Sequence, residues 1–233
     1  MVTNVIQSLL FKFKNGPLKP FRFKVIKKMT GKKPIKILDV GCGNESFYLA
    51  NKFLTIRDYV GIDKVDYDGE DGYSLIPNLV YADLDSDLDK LESLEEDFDL
   101  IIMSHIIEHT NKFESYIKIL LKKLNTNGLI YIETPHPRTL NYPSAIGFLN
   151  FYDDDTHVRC FNEKEVLGIL RKNNMNIDKS GVRRDIFRLV FISPIVIFLN
   201  IIYFIPIKRK LLSAGLWGLL GVGFYVIATK QKN

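Results

Sequence analysis

Short apolar runs alternate with longer amphipathic stretches from residue 35 onward, and nearly every run stops at glycine or an acid. Ile35 to Val40 is β-branched, and Gly41 and Gly43 follow it at once. Such a run, apolar on both faces, predicts a buried parallel strand. Tyr59 to Ile62, Leu79 to Ala82, Asp99 to Met103 and Leu129 to Glu133 repeat the pattern. Between them lie predicted helices at Ser46 to Leu54 and Phe113 to Leu124. The second carries Phe113, Tyr116, Ile117, Leu120, Leu121 and Leu124 at helical spacing. Asn127-Gly128 is expected to end it. A last helix is predicted over Asn162 to Asn173, with Asn162 as N-cap and Glu165 in the capping-box position. Strands alternating with helices call for an α/β domain with a mostly parallel sheet, and no internal repeat competes with it. At 233 residues the chain suits one domain with an appendage. Hydrophobic residues at 46% exclude a disordered tail or a disulfide-stapled mini-protein.

Charge is segregated. Residues 1 to 38 hold ten Lys/Arg and no acid, whereas residues 61 to 99 hold fourteen acids against Lys64 and Lys90. The basic block is interleaved with Phe11, Phe13, Phe21 and Phe23, which suits an anionic membrane surface. Residues 1–33 are therefore read as a basic amphipathic arm and 34–233 as the main folded domain. Nucleic acid is not expected, because no helix-turn-helix, RNP or zinc-finger pattern is present. Cys42 and Cys160 form no metal or disulfide framework, and MVTNVIQSLLFKF is a poor secretory signal. Both point to a reducing, cytoplasmic compartment.

The C-terminal third breaks the pattern. Leu189 to Ile207 and Leu211 to Thr229 are uncharged runs of nineteen residues each, split by Lys208-Arg209-Lys210. Pro194, Asn200 and Pro206 interrupt the first run, and Phe224 to Thr229 reads as a β-strand. The expectation is an apolar helical insertion, residues 187–221, lying in the inner membrane interface as one or two helices or a shallow hairpin before a last strand; a spanning two-helix hairpin and a buried helical subdomain are the alternatives.

Chemistry concentrates at the ends of the strands. Gly41 and Gly43 permit a tight turn and close approach of a ligand at the edge where open parallel sheets bind them. Asp63, twenty residues beyond Gly43, ends the second strand, where a carboxylate can accept both hydroxyls of a ribose. Asp83 ends the third, placed for an adenine amine. A nicotinamide-binding G-x-G-x-x-G is not met, since Ser46 stands at the last glycine position.

Taken in order, LDVGCG, VGID, YAD, FDLIIMSHIIEH and GLIYIETPHP resemble the motifs of class I S-adenosylmethionine-dependent methyltransferases over about residues 34 to 175. The likeness is strongest to the branch with a Ser-His-x-x-Glu-His loop and a later His-Val-Arg-x-Phe stretch, here His157 to Phe161. It implies a Rossmann-like seven-stranded sheet with one antiparallel strand, recruiting Ile177 to Val182 and Phe224 to Thr229. It also implies S-adenosylmethionine as cofactor. Asp39, Gly41, Cys42 and Gly43 then border its methionine end, Asp63 the ribose and Asp83 the adenine. The Ser104-His105 backbone runs beside the sulfonium. The family carries a third glycine where this chain has Glu45, whose side chain is expected to crowd the methionine carboxylate.

An oxygen acceptor must lose a proton, and histidine suits that task near neutral pH. His105, His136 and His157 are the candidate bases; the plainer reading has His105 capping its loop and leaves His109 to packing. His105-Ile-Ile-Glu108-His109 also matches an inverted zinc-protease pattern, but its place after a buried strand argues against a metal, and none is expected. The basic arm and apolar insertion together suggest O-methylation of a lipid-linked or envelope glycan, or another membrane-borne acceptor. The alternative is a membrane-tethered module that binds the cofactor without turnover.

Overall fold

A computed structural model describes residues 20–65, 76–95, 97–142, 144, 150–184 and 221–232. Seven strands form a single sheet: β1 (Ile35–Val40), β2 (Ile56–Asp63), β3 (Leu79–Tyr81), β4 (Phe98–Ser104), β5 (Leu124–Pro135), β6 (Met175–Val182) and β7 (Gly223–Lys230). Their order is β3-β2-β1-β4-β5-β7-β6. β1 to β5 pair in parallel, while β7 runs antiparallel to both β5 and β6. The predicted Rossmann-like sheet is thus present, with Ile177–Val182 and Phe224–Thr229 inside the last pair.

Period-two alternation sorts the core into two layers. Ile35, Ile37, Leu100, Ile102, Tyr131, Tyr225 and Ile227 face one side, packed with Phe23 and Ile26 of α1 (Phe21–Thr30) and Ala50 of α2 (Ser46–Phe53). Leu38, Val40, Ile101, Met103, Phe224 and Val226 face the other. There they meet Phe113, Tyr116, Ile117, Leu120 and Leu121 of α4 (Phe113–Lys122) and Val166, Ile169 and Leu170 of α5 (Glu163–Lys172). A short α3 (Leu88–Glu92) buries Leu91 beside them. Asn162 caps α5 by accepting from the Glu165 backbone, as its sequence position predicts.

Two features differ from the sequence reading. Residues 21–30, counted with the basic arm, form α1 and bury Phe23 and Ile26 in the core, so this part of the arm is built into the domain. Asn127-Gly128 does not sit in a loop between helix and strand but inside β5. Leu124 pairs with Phe98 and Leu129 with Leu100, so the residues between them bulge out, and Asn127 takes a φ of 65°. The apolar insertion 187–221 falls outside the described residues apart from Gly221, as do residues 1–19 of the arm. Among the described residues no helix is long and apolar enough to cross a membrane.

Candidate active site

β1 lies between β2 and β4, the point where the strand order reverses and where an open α/β sheet leaves a crevice beyond its carboxyl ends. Gly41 and Gly43 turn the chain away from β1 with φ of 70° and 55°, and the Gly41 and Cys42 amides both donate to the Ile62 carbonyl. A Cβ at Gly41 would stand 2.6 Å from Ile106, so the turn packs directly on the loop after β4. Position 45 is different. Glu45 precedes α2 with a right-handed φ of −103°, a conformation open to any side chain, so its backbone has no need of glycine.

Alternation places Asp39 on the α1 side of the sheet, where it is buried. Its Oδ2 accepts from Ser46 Oγ at 2.5 Å and from the Tyr59 hydroxyl at 2.8 Å. Burial pushes its carboxyl above the ordinary value, although Arg22, Ser46 and Tyr59 all pull the other way. Arg22 was not among the sequence candidates. It projects from α1, and its two terminal nitrogens donate to Ser104 Oγ and Ser46 Oγ, each at 3.3 Å. Its Nε is buried and finds no acceptor among the described residues. A guanidinium aimed at the end of β1, with a donor to spare, is a carboxylate-binding device. The signal in the sequence was the arginine in Phe21-Arg22-Phe23, hidden in a block read as surface charge.

Asp63 reaches over the glycine turn. One oxygen accepts from the Gly43 amide at 2.9 Å and the other from the Val65 amide at 3.1 Å, which pins the carboxylate at the strand edge with lone pairs remaining. Cys42 is buried between these acids, and burial followed by their charge pushes its thiol far up. Asp83 is exposed, and its carboxylate accepts from the Asp85 amide, closing its own turn. Asp85 in turn grips the Asn111 and Lys112 amides, tying the loop after β3 to the start of α4.

At the ends of β4 and β5 the chain is polar and tightly engaged. His105 takes a φ of 55°, and its amide donates to the Glu133 carbonyl. Its Nδ1 faces Glu108 Oε1 and its Nε2 faces Glu133 Oε1, each at 3.1 Å. Burial opposes the charge on the ring, but the two carboxylates overcome it and hold His105 protonated up to about 9. Glu133 also accepts from Arg183 Nη1 at 2.5 Å and from the Tyr131 hydroxyl. Burial raises its carboxyl, yet Arg183 first and His105 next bring it far below the usual range. Glu108 Oε2 accepts from Thr134 Oγ1 at 2.9 Å. Both nitrogens of His105 are therefore committed to carboxylates.

Beside this network lies a cavity of about 180 Å³ whose lining includes His105, Glu108, His109, Phe151, Asp154 and His157. The fold brings together His105 and His157, two of the candidate bases, and adds His109, which had been assigned to packing. His136 does not line the cavity. Its Nδ1 accepts from the Arg138 amide and its ring meets Phe224 edge to face. Burial, and then Arg138, lower its proton affinity.

A methyltransferase domain family model matches residues 18–180, more than half of the chain. The chain belongs to this methyltransferase family. A curated relative, the ubiquinone biosynthesis O-methyltransferase of Pelagibacter ubique, is 28% identical over 155 residues, 63% of this chain and 64% of the relative. The chain thus matches just under two thirds of that protein's length. A solved S-adenosylmethionine-dependent methyltransferase from Archaeoglobus fulgidus is similar at a TM-score of 0.57 and 22% identity, covering 96% of this chain and 99% of that one. Another from Mesorhizobium loti reaches 0.57 at 15% identity, covering 90% and 98%. At these identities the solved structures speak for the fold.

Both solved relatives are named as S-adenosylmethionine-dependent, and the residues present in this chain fit that cofactor. Arg22, with its buried and unsatisfied Nε, suits the methionine carboxylate. The glycine turn leaves backbone room, and Asp63 suits the ribose diol. When bound, the cofactor supplies an activated methyl on sulfonium, so the protein has only to position and deprotonate an acceptor.

Proposed function

We propose that this methyltransferase methylates a hydroxyl oxygen of a lipid-linked acceptor held in the cavity beyond β4 and β5. The observation that carries the proposal is the position of that cavity. Its lining includes His105, just after β4, together with Glu108, His109 and His157, so three imidazoles border it. The Pelagibacter relative, named for O-methylation in ubiquinone biosynthesis, supports oxygen as the accepting atom and a lipid as its carrier. An envelope glycan, the other acceptor expected from the sequence, has no such support. The binding-only alternative rested on Glu45, and the right-handed backbone at that position accommodates a side chain.

The chain's own residues divide the work. Arg22, Asp63 and the Gly41–Gly43 turn hold the cofactor, with Asp83 at the adenine end. His105, clamped between Glu108 and Glu133, fixes the loop and keeps its own proton. His157 is then the group best placed to take the acceptor's proton, because it lines the cavity and its Nδ1 donates to the Phe151 carbonyl at 2.6 Å, which leaves the lone pair on Nε2. His136 does not line the cavity and is the weaker candidate. Phe151 stacks on the His157 ring and supplies an apolar wall.

The deciding experiment transfers labelled methyl from S-adenosylmethionine into membrane extract separated into lipid and water-soluble glycan fractions. Label in the lipid fraction as an alkali-stable methyl ether is the expected result. Label confined to glycan, or to a nitrogen, overturns the acceptor class. With the labelled lipid as substrate, His157→Ala is expected to lower turnover by about 10²-fold or more while cofactor affinity holds, a typical loss for one acid–base group. His136→Ala is expected to have the smaller effect, and equal rates for wild type, His136→Ala and His157→Ala would reject the assignment.

A further inference from the structure

We propose that Glu108, His109 and His157 form a binding site for a divalent transition-metal ion at the inner wall of the acceptor cavity. The sequence pattern His105-x-x-Glu108-His109 argued for no metal, since an inverted zinc-protease site needs both of its histidines on one helix face. The structure takes His105 out of that arrangement by clamping it between Glu108 and Glu133, and puts His157 in its place. The motif lies on a short 3-10 turn, Ile107–His109, and not on an α-helix. The backbone itself joins the two segments: the Val158 and Arg159 amides both donate to the Glu108 carbonyl, at 2.9 and 3.2 Å. One ligand atom from each of Glu108, His109 and His157 lies within 4.8 Å of the other two. A sphere of metal–ligand radius near 2 Å requires ligand atoms about 3 Å apart, so a modest closure of these side chains completes the set.

The hydrogen-bond partners of the two rings decide which nitrogen is available. His109 Nδ1 faces the Thr156 carbonyl at 3.2 Å and the Thr156 hydroxyl at 2.8 Å. That hydroxyl gives its own proton to Asp154, at 2.5 Å, so both partners of Nδ1 can only accept. His157 Nδ1 faces the Phe151 carbonyl, again an acceptor. Each Nδ1 therefore carries the hydrogen, and each Nε2 keeps its lone pair. Two imidazoles oriented through Nδ1–H to backbone carbonyls is the outer-shell arrangement that fixes metal-ligating histidines. The rings lie 4.7 Å apart, centre to centre. An Asp154 carboxylate oxygen lies 3.9 Å from His157 Nε2, adding negative charge beside the three ligands. Two nitrogens and a carboxylate oxygen favour Zn²⁺, Co²⁺, Fe²⁺ or Mn²⁺ over Mg²⁺ or Ca²⁺.

Binding rests on these side chains alone. The role assigned to the ion rests on the O-methylation reading: an acceptor hydroxyl coordinated at the open position is acidified and loses its proton to water at the cavity mouth. His157 is the base of the metal-free enzyme; with an ion bound its Nε2 would be a ligand, and the coordinated hydroxyl would give its proton to water instead.

The test uses the full chain, freed of any affinity tag and of metal by chelation, and titrated with Co²⁺ under visible absorption. Zn²⁺ stoichiometry is read by elemental analysis. One ion per chain, with the absorption of a nitrogen-ligated Co²⁺ centre, is expected. His109→Ala and His157→Gln should each weaken binding by about 100-fold, while His136→Ala should leave it unchanged. Should a variant fail to fold by circular dichroism, chemical modification of the wild-type histidines by diethyl pyrocarbonate gives the answer. Zn²⁺ is expected to protect His109 and His157 and to leave His136 reactive. No stoichiometric uptake by the wild type, no such protection, or uptake that survives in folded His109→Ala and His157→Gln overturns the site. Calorimetry with S-adenosylmethionine on the metal-free protein reports separately on the methyltransferase reading, so failure of one does not mask the other.

Discussion

A single carboxylate carries much of the cofactor assignment. Asp63 is held by two backbone amides, Gly43 and Val65, so its removal costs both a ligand contact and the anchor of the glycine turn. Asp63→Ala is expected to weaken S-adenosylmethionine binding by at least about tenfold in calorimetry, in keeping with the loss of charge-assisted hydrogen bonds. Asp63→Asn, which keeps an amide-accepting oxygen, should lose less. Arg22→Ala should weaken binding similarly, and an analogue lacking the methionine carboxylate should bind wild type and Arg22→Ala alike. Equal affinity of wild type and Arg22→Ala for the intact cofactor would remove Arg22 from the site. The cysteines are a contrasting case at the same scale. Burial, reinforced by neighbouring acids, raises the Cys42 thiol far above its ordinary range and the Cys160 thiol to about 11. Neither is a reactive thiolate near pH 8, and iodoacetamide labelling is expected to be slow in the native protein and complete once denaturant exposes both.

At the scale of an element, α1 does two things at once. Phe23 and Ile26 bury its apolar side in the core, and Arg22, next to Phe23, enters the crevice. Position depends on packing here, so damage to the helix should reach the site. Phe23→Ala is expected to destabilise the fold by about 3–5 kcal/mol in denaturant titrations, the range for deleting a buried phenylalanine. It should also weaken the cofactor in whatever fraction remains folded. The glycine turn makes a second such element. At Gly41 a methyl group would combine a left-handed φ of 70° with a 2.6 Å approach to Ile106, so Gly41→Ala should cost both stability and cofactor affinity. Gly43, where an added methyl would meet nothing within 4 Å, should tolerate alanine better. Comparing the two by thermal shift with and without S-adenosylmethionine tests that difference.

The whole molecule explains why some features were legible in the sequence and others were not. Strand ends, the glycine turn and the acids at Asp63 and Asp83 are local, because an apolar run and its terminating residue are adjacent in the chain. The antiparallel last pair was legible only through the family resemblance, since β6 and β7 are separated by about forty residues of unrelated character. Asn127-Gly128 was recognised as a break but misjudged in kind, because a bulge and a loop use the same residues and only pairing with β4 distinguishes them. The histidines show the limit most clearly. Three of the four imidazoles were read along the chain as separate candidates, yet their chemistry depends on what the fold brings to each ring. His105 meets Glu133 across adjacent strands, His157 meets His109 across forty-eight positions, and His136 is turned aside by its own helical turn. Periodicity and strand-end chemistry, both short-range, thus determined the parallel strands and the glycine turn that ends β1 from sequence alone. Proton affinities, the burial of Arg22 and the partnership of Glu108 with two distant histidines were decided by the tertiary structure, since each depends on groups that meet only when the chain has folded.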